Sequence, residues 1–563
     1  MKTPTPTNVR GIASLLASLL FVLTFAGAAA EAQTTPAADA AIAAPRARVT
    51  QAIDENQLVR LHGNVHPMAK PANDRGALSD AQPITRMYLL LQRSGDQELA
   101  LEQLIADQQN KNSANFHAFL TPQTFGKQFG PADSDIAAVT SWLASHGFQG
   151  MKVSNGRTII EFNGTVGAVR SAFHTDIHQY SVHGETHFAN VSDPQIPAAL
   201  TPVIGGIVGM HNFHPKSFMK HLGTFEHIKA TGEIRPAFTY TDSNGTFYGV
   251  GPGDFAKIYN IPAGATGAGQ SIAIVGQSNI NLQDVADFRT MFALAPNVPT
   301  VVLNGPDPGL VSGDEGESDL DVEWAGAVAQ AANIIFVTSE TTETDGEAGV
   351  DASAVYIVDN LVAPVLSESY GICEPNLGNG GNEFYAGLWQ QAAAEGITVL
   401  IAAGDDGPAG CDDPNSEDEA TGGLAVSGTA STVYNIAVGG TDFNQNAGNF
   451  STYWNAATSP ISVESAKSYI PEIPWNDSCG AGGLTSSCAT GNTAAQSLFA
   501  GSGGPSNCAT QDNNGNCTAG YQKPPWQSLL GAPTINDGVR DIPDVSLFAS
   551  GGTNSSFYII CES

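Results

Sequence analysis

The chain has 563 residues, too many for one hydrophobic core, so at least two domains are expected. Its net charge of −32 is unevenly placed: residues 1–250 carry 18 Lys and Arg against 19 Asp and Glu, and residues 251–563 carry 5 against 36. This balance argues against nucleic acid as a partner, because phosphate binding needs a basic surface. Such an acidic region repels itself least at low pH, although a merely soluble acidic surface would have the same composition.

The histidines are as unevenly placed as the charge, since all 12 lie between His62 and His227. Catalysis in the acidic part must therefore work without imidazole. That excludes a Ser-His-Asp triad and a Cys-His dyad there, and it argues against a zinc site. No metal ligands are predicted in this part of the chain.

The N-terminus is predicted to be an export signal covering residues 1–32. Two basic residues precede an apolar run over 12–30, and small residues lead to a cleavage site near Ala32. A retained membrane anchor is the alternative. The prediction is a secreted protein that has no membrane contact once the signal is removed.

Residues 48–213 are predicted to form a compact α+β unit with a ferredoxin-like arrangement of strands and helices. Apolar spacing and turn dipeptides predict, in order, a strand, two helices, a hairpin, a helix and a second hairpin at 86–93, 97–109, 135–146, 152–162, 166–173 and 177–188. Residues 214–250 lack periodicity and are predicted to be an exposed linker, where processing cleavage is expected.

Residues 251–563 are predicted to form a separate α/β domain. Strands at 271–275, 299–303, 333–338, 363–366, 398–402 and 434–438 alternate with helices at 282–294, 318–332, 351–358 and 382–395. Continuously apolar strands of this kind predict a parallel sheet with helices on both faces. Ligands of such folds bind at the carboxyl ends of the strands.

All seven cysteines lie in the acidic domain, and export would permit them to form disulfides. Pairing Cys479 with Cys488 and Cys508 with Cys517 would close short loops, and pairing Cys373 with Cys411 a longer one. The connectivity stays open at this stage. Cys561 is left over.

Glu317 and Asp321 stand at the start of a predicted helix, four residues apart and therefore on one face. Two carboxyls in contact share a proton, and one pKa rises. Such a pair can accept a proton from a hydroxyl in a mildly acidic medium. The alternative is a solvated acidic first turn, which is common in helices.

Two further motifs follow predicted strands. A protonated Asp405, at the end of one strand, could donate a hydrogen bond to an oxyanion, although an acidic turn is an equal alternative. The backbone of Ser369, Tyr370 and Gly371 follows another strand and could pair with an extended peptide. The alternative there is an ordinary polar strand exit.

Together these motifs resemble the sedolisin family of serine-carboxyl peptidases. The matching segments are ESDLD (317–321), SESYG (367–371), AAGDDG (402–407), AVGGTDF (437–443), PPWQ (524–527) and RDIPDVS (540–546). Upstream, FHAFLTPQTFGKQFGP (116–131) is similar to the signature of the pro-kumamolisin activation domain. The resemblance implies a subtilisin-like fold, endopeptidase activity at acid pH, a self-cleaved prosegment and a bound calcium ion.

The resemblance also implies roles for individual residues. Glu317 would be the general base, Asp321 would orient it, and Asp405 would be the oxyanion acid. Ser369, Tyr370 and Gly371 would form the wall that binds the substrate backbone, with Tyr370 where tryptophan is frequent.

The family's nucleophile is expected in a Gly-Thr-Ser motif after RDIPDVS, and no such motif precedes Ser563. The imitations at 427–430 and 550–555 are rejected, because the first has alanine at the serine position and the second has an extra residue. The calcium ligands are likewise expected beyond Ser563. The chain as given is therefore predicted to be inactive.

The predicted function is a secreted, acid-acting endopeptidase precursor, working through an acyl-enzyme with a Glu/Asp charge relay. Its expected partners are protein and peptide substrates and its own prodomain, and a monomer is expected. Falling pH would charge buried histidines of the prosegment and release it. The alternative is an inactive fragment or a peptidase-like binding protein. A third reading, an acidic calcium-binding surface protein, lacks the expected ligand spacing over 312–321.

Overall fold

The computed structural model describes residues 45–217, 219, 239–241, 246–417, 419–446, 448–455, 464–478, 498–527, 537–551 and 556–562. The predicted signal peptide, the predicted Cys479–Cys488 pair and Ser555 lie outside these residues. Among the helices described, none has both the length and the apolar character that crossing a membrane requires.

The first part of the described chain is an α+β unit. Its elements are β1 (Leu58–Arg60), β2 (Asp74–Ala77), β3 (Pro83–Leu91), α1 (Gly95–Gln109), α2 (Pro122–Phe129), α3 (Asp133–Ser145), β4 (Gln149–Val153), β5 (Ile159–Thr165), α4 (Val166–Phe173), β6 (Ile177–Val182), β7 (Glu185–Asn190), β8 (Gln195–Pro197), a short 3-10 helix (Ala198–Leu200) and β9 (Ile204–Val208). An antiparallel sheet runs in the order β4-β5-β3-β9, while β2, β6 and β7 form a second sheet. Helices α3 and α4 bury Trp142 and Phe173 against the first sheet.

Several of these elements were not predicted, namely β1, β2, β8, the 3-10 helix, α2 and β9. Helix α2 is only eight residues long, and its buried Phe125 and Phe129 pack against Ala394 of the acidic domain, a partner that local spacing does not reveal. Strand β9 pairs with β3 although more than 100 residues separate them. The predicted hairpin at 177–188 is present, and it pairs with β2 in the second sheet.

The acidic domain is built on a mostly parallel sheet. Its elements are β10 (Thr239–Thr241), β11 (Thr246–Val250), α5 (Pro252–Ile258), β12 (Ser271–Gly276), α6 (Leu282–Met291), β13 (Thr300–Leu303), α7 (Glu315–Val328), β14 (Asn333–Thr338), α8 (Gly349–Asp359), β15 (Val365–Glu368), α9 (Glu374–Glu395), β16 (Thr398–Ala402), β17 (Ile436–Phe443), α10 (Phe450–Tyr453), β18 (Glu472–Pro474), β19 (Gly504–Pro505), β20 (Thr510–Gln511), β21 (Cys517–Ala519), β22 (Asp541–Ile542), β23 (Val545–Phe548) and β24 (Ser556–Tyr558). The sheet runs β13-β14-β12-β15-β16-β17-β18, and β23 also pairs with β17. Of these strands, β18 is antiparallel to its neighbour.

Alternating side chains of the sheet enter two different cores. Ile274 and Phe336 pack with Val285 of α6 and Val322 of α7. The intervening Val275 and its neighbours pack with the buried residues of α8 and α9. Because successive strand side chains point to opposite faces, helices cover both faces. The predicted α/β class is confirmed.

The α+β unit packs its first sheet onto α8 and α9, so that Tyr88 and Leu90 share a core with Phe384. Polar contacts frame this core: Asp359 accepts the backbone N–H groups of Asn155 and Gly156, both at 2.7 Å. We refer to described residues 45–213 as the prosegment and to those from 246 onward as the acidic domain.

Two predicted disulfides are present, Cys373–Cys411 and Cys508–Cys517. They fasten irregular segments of the acidic domain. Cys561 is a free, partly buried thiol.

Candidate active site

Helix α7 begins at the carboxyl edge of the sheet and places Glu317 and Asp321 one turn apart. Only 5% of Glu317 is exposed, and its Oε2 accepts a hydrogen bond of 2.5 Å from the Ser217 hydroxyl. Asp321 Oδ1 accepts one of 2.9 Å from the Ser369 hydroxyl. The two carboxyls are therefore turned inward, with hydroxyl donors from other segments.

Burial is the main cause of the altered acidity of this pair. It raises the pKa of Glu317 well above its usual value, and the Asp321 carboxylate raises it further, opposed by the Ser217 hydroxyl. Burial raises the pKa of Asp321 to about 7, opposed by the Ser369 hydroxyl. Water is excluded and the charges repel, so the pair retains protons that free carboxyls would lose.

Asp405 lies three residues beyond the end of β16, next to the strands that carry the other motifs. Gly404 makes the turn with a φ of +112°, a backbone conformation that favours glycine. Burial, followed by the Asp406 carboxylate, raises the pKa of Asp405 to about 7. Because the Asp405 charge also raises the pKa of Glu317, the two carboxyls belong to one site.

The predicted backbone wall follows β15. Tyr370 is buried, its hydroxyl accepts the Gln277 N–H at 3.2 Å, and its carbonyl accepts the Thr429 hydroxyl at 3.3 Å. These contacts hold the segment in place. Gly371 is left to pair in antiparallel fashion with another chain segment.

That partner is Lys216, from the predicted linker. The N–H of each residue bonds to the carbonyl of the other, both at 3.0 Å. Just before it, His214 Nε2 lies 3.1 and 3.2 Å from the carbonyls of Asp345 and Gly346. Residues 214–217 thus cross the site in the manner of a bound peptide. The linker sequence carries no periodicity that signals this placement.

Within the described part of the chain, no hydrogen bond joins the rejected serine motif at 427–430 to the acidic pair. The Ser427 hydroxyl bonds to Thr429 at 3.0 Å, and Ala430 is buried. Among the described residues, the hydroxyls bonded to Glu317 and Asp321 are those of Ser217 and Ser369.

Two buried acids near the wall, Glu368 and Asp351, have no signal in the local sequence that predicts their burial. Glu368, at the end of β15, is buried, and neither of its carboxyl oxygens has a donor among the described residues. Asp351 accepts a hydrogen bond from the buried Tyr385 hydroxyl. Burial raises the pKa of both carboxyls, that of Asp351 to about 6. They add to the low-dielectric, acidic character of this sheet edge.

A second acidic group could hold a cation. Asp284, Glu315 and Asp319 are buried, and one carboxylate oxygen of each lies within 4.8 Å of those of the others. This group of three acids lies on helices α6 and α7, and its member Asp319 is between Glu317 and Asp321 in sequence.

Comparisons with known proteins agree with the resemblance read from the motifs. Residues 70–213 match the family described as Pro-kumamolisin, activation domain. The chain is 28% identical to Sedolisin of Pseudomonas sp. (strain 101), over 82% of this chain and 70% of that protein. It is 27% identical to Kumamolisin of Bacillus sp. (strain MN-32), over 75% of this chain and 74% of that protein.

Two further proteins are similar to this chain. Xanthomonalisin of Xanthomonas sp. (strain T-22) is 30% identical over 64% of this chain, which spans 46% of that protein. Among solved structures, Pseudomonas sedolisin, a serine-carboxyl proteinase complexed with two molecules of pseudo-iodotyrostatin, is 24% identical, with a TM-score of 0.41 over 56% of this chain and 74% of that one. The homologues of this chain are therefore sedolisin-type serine-carboxyl peptidases with a pro-domain.

Proposed function

We propose that this homologue of the sedolisins is the precursor of a secreted, acid-acting serine-carboxyl endopeptidase. One observation carries the proposal: Glu317, which is buried, and Asp321 lie one helical turn apart, and Asp405 is near enough for its charge to act on Glu317. The acidic domain contains no histidine that could do the same work. The proposed substrates are proteins and peptides, and residues 1–32 are proposed as the export signal.

The proposed reaction is acyl transfer to a serine and then to water. Once the prosegment has left and water reaches the site, the Glu317 carboxylate accepts the proton of the serine hydroxyl as that oxygen bonds to the peptide carbonyl carbon, and Asp321 holds Glu317 in place. Glu317 then gives this proton to the peptide nitrogen as the carbon–nitrogen bond breaks and the amine leaves. Water attacks the acyl-serine in the same way, which releases the carboxylic acid and restores the serine hydroxyl. Asp405 donates a hydrogen bond to the oxyanion. The carboxyl of Asp405 keeps its proton below its pKa of about 7, so this division of roles favours acidic conditions. The nucleophile is proposed to be a serine outside the described residues.

The prosegment is proposed to inhibit the site until acidification, with residues 48–213 as activation domain and 214–250 as processing region. Two contacts support this inhibition: the backbone of Lys216 pairs with Gly371 of the wall, and the Ser217 hydroxyl donates a hydrogen bond to Glu317. A substrate could not make these contacts at the same time. Release of the prosegment must therefore precede catalysis.

A histidine cluster beside this segment supports release at low pH. The Phe213 ring lies between those of His66 and His187, with centroids 3.9 and 4.1 Å away, and the His211 ring contacts His66 at 5.0 Å. Burial lowers the pKa of His211 to about 3 and that of His214 to about 4. The charged groups facing the cluster have both signs, namely Lys70, Glu185, Lys216 and Asp345.

A second candidate function is peptide binding without catalysis. It is favoured by the finding that, within the described part of the chain, the hydroxyls on the acidic pair come from the linker and the wall. The wall alone could hold an extended peptide.

The test compares casein cleavage at pH 4 and pH 7 by the 563-residue chain and by a C-terminally completed version carrying a Gly-Thr-Ser segment. We expect the completed version to cleave at pH 4, and Glu317→Ala to abolish cleavage. Glu343→Gln, an exposed acid of the same domain, is the matched control. Binding without cleavage by the completed version would favour the second function, and full cleavage by Glu317→Ala would refute the first.

A further inference from the structure

Helix α7 begins with an acid at every second position: Glu315, Glu317, Asp319, Asp321 and Glu323. Since each helical residue turns by about 100°, such a run divides into two stripes on different faces. Glu317 and Asp321 form the stripe in the candidate active site. Glu315, Asp319 and Glu323 form a second stripe, which the proposed reaction does not use.

The second stripe meets α6 and the segment 556–562. One carboxylate oxygen each of Asp284, Glu315 and Asp319 lies within 4.8 Å of the other two. Asp319 is fully buried at 0% exposure, and neither of its carboxyl oxygens has a hydrogen-bond partner among the described residues. The same holds for Glu315 Oε1 and Glu323 Oε1.

The charges that act on Asp319 within the described part of the chain are those of Asp284, Glu315 and Glu562, and all three are negative. Buried carboxylates that lack donors and opposite charges are unstable unless a proton or a cation neutralises them.

We propose that Asp284, Glu315 and Asp319 bind a hard divalent cation of the size of Ca²⁺. The ligands are all carboxylate oxygens, which such cations prefer. Oxygens at about 2.3–2.6 Å from one Ca²⁺ lie at most about 5 Å apart, which fits the spacing observed. These residues differ from the family's calcium ligands, which the sequence analysis expected beyond Ser563.

The cation would join the N-terminal parts of α6 and α7 behind the active site. The charge of Glu562, in the segment 556–562, also acts on Asp319. The segment before Glu562 is already held to α7: the Cys561 N–H donates to Glu323 at 3.0 Å, and the Trp324 indole N–H donates to the Ile559 carbonyl at 2.9 Å. The helix that positions Glu317 and Asp321 would thereby be stabilised from its other face.

A luminescence titration tests binding directly. Trp324 lies five residues after Asp319, about 7.5 Å along the helix axis, close enough to transfer excitation energy to bound Tb³⁺. The full chain, stripped with chelator at pH 8, should give saturable indole-sensitised Tb³⁺ emission that Ca²⁺ displaces. Asp319→Asn should lose this emission, and the exposed control Glu343→Gln should retain it.

Thermal unfolding tests the same site without a luminescent probe. Saturating Ca²⁺ should raise the Tm of the wild-type chain by about 5 °C and leave that of Asp319→Asn unchanged. In chelator, Asp319→Asn should be at least as stable as the wild type, because it removes repulsion. Should Asp319→Asn fail to fold, Glu315→Gln serves in its place.

The competing explanation is that shared protons, and not a cation, neutralise these carboxyls. The same two experiments distinguish the explanations. Wild-type protein without saturable Tb³⁺ emission or a Ca²⁺-dependent Tm, or equal responses from wild type and Asp319→Asn, would overturn the proposal. Neither readout requires peptidase activity, so failure here leaves the proposed function untouched.

Discussion

The prosegment and the acidic domain both bury ionisable groups at their junction, but the groups are of opposite kinds. On the prosegment side the half-buried bases are His211 and the linker residue His214, whose pKa values fall to about 3 and 4. The acidic domain buries acids, and the pKa values of Asp321 and Asp405 rise to about 7. In all four, burial penalises the charged form, so one physical cause shifts the two regions in opposite directions.

The two shifts have opposite consequences for stability. Between pH 6.5 and 4, an unfolded histidine binds a proton that its buried counterpart refuses, so the prosegment loses stability as pH falls. Between pH 7 and 4, an unfolded aspartate releases a proton that its buried counterpart keeps, so the acidic domain gains stability as pH falls. The same acidification therefore destabilises the prosegment and stabilises the acidic domain.

Replacement of the proposed base, Glu317, is expected to have the largest effect on activity. Glu317→Gln in the C-terminally completed version should lower kcat/KM on a peptide substrate at pH 4 by about 10²–10⁴-fold, because no carboxylate then takes the hydroxyl proton. The matched control is Glu343→Gln, which should keep wild-type activity. A Glu317→Gln variant within tenfold of wild type would remove Glu317 from the mechanism.

Replacing the proposed oxyanion acid should have the next largest effect. Asp405→Ala should lower kcat by about 10²–10³-fold, because one donor to the oxyanion is lost. Asp405→Asn should lose less, since the amide still donates, and its activity should extend above pH 7 because an amide does not titrate. The measurement is kcat against pH for the three proteins. If kcat of Asp405→Asn falls at the same alkaline pH as that of the wild type, Asp405 does not act as the protonated donor to the oxyanion.

The variant His211→Phe tests whether this half-buried histidine makes the prosegment open at low pH. His211 Nδ1 is buried with no partner among the described residues, so phenylalanine sacrifices no hydrogen bond there. At pH 5 the wild-type prosegment loses stability because His211 is protonated only when it unfolds. The phenylalanine variant should avoid this loss, a difference of about 2 kcal/mol in the free energy of unfolding. Hydrogen exchange over residues 204–217, followed from pH 7 to pH 4, should show opening about one pH unit lower.

Its control is the exposed His174, which ends α4 in a left-handed conformation that asparagine tolerates. In the His174→Asn variant, hydrogen exchange should show residues 204–217 opening at the same pH as in the wild type. Identical midpoints for His211→Phe and wild type would show that this histidine does not govern release.

The smallest expected effect comes from Ser217→Ala, and it has the opposite sign. It removes the hydroxyl that satisfies Glu317, at a cost of about 1–2 kcal/mol to the closed state. The same exchange experiment should show residues 204–217 opening at slightly higher pH than in the wild type. Opening at lower pH would mean that this hydrogen bond does not hold the linker in place.

Local pattern was sufficient for much of the fold. Strands β14 and β16 and helix α4 have the bounds that apolar spacing predicted, because each is defined by its own period and by adjacent turn residues. Helix α7 begins three residues before its predicted start, which brings Glu317 into the first turn. Helix α2 and strand β9 were missed, because distant partners stabilise them.

The sequence was enough to establish that Glu317 and Asp321 share a helical face, that the acidic domain contains no histidine, and that Asp405 follows a strand. Tertiary structure was needed to show that Asp405 lies near enough for its charge to act on Glu317, that residues 214–217 cross the site, and that a second acidic stripe faces α6. The reason is physical: spacing along a helix or strand is a property of the local chain. Burial, and with it every pKa shift discussed above, depends on segments that approach from elsewhere.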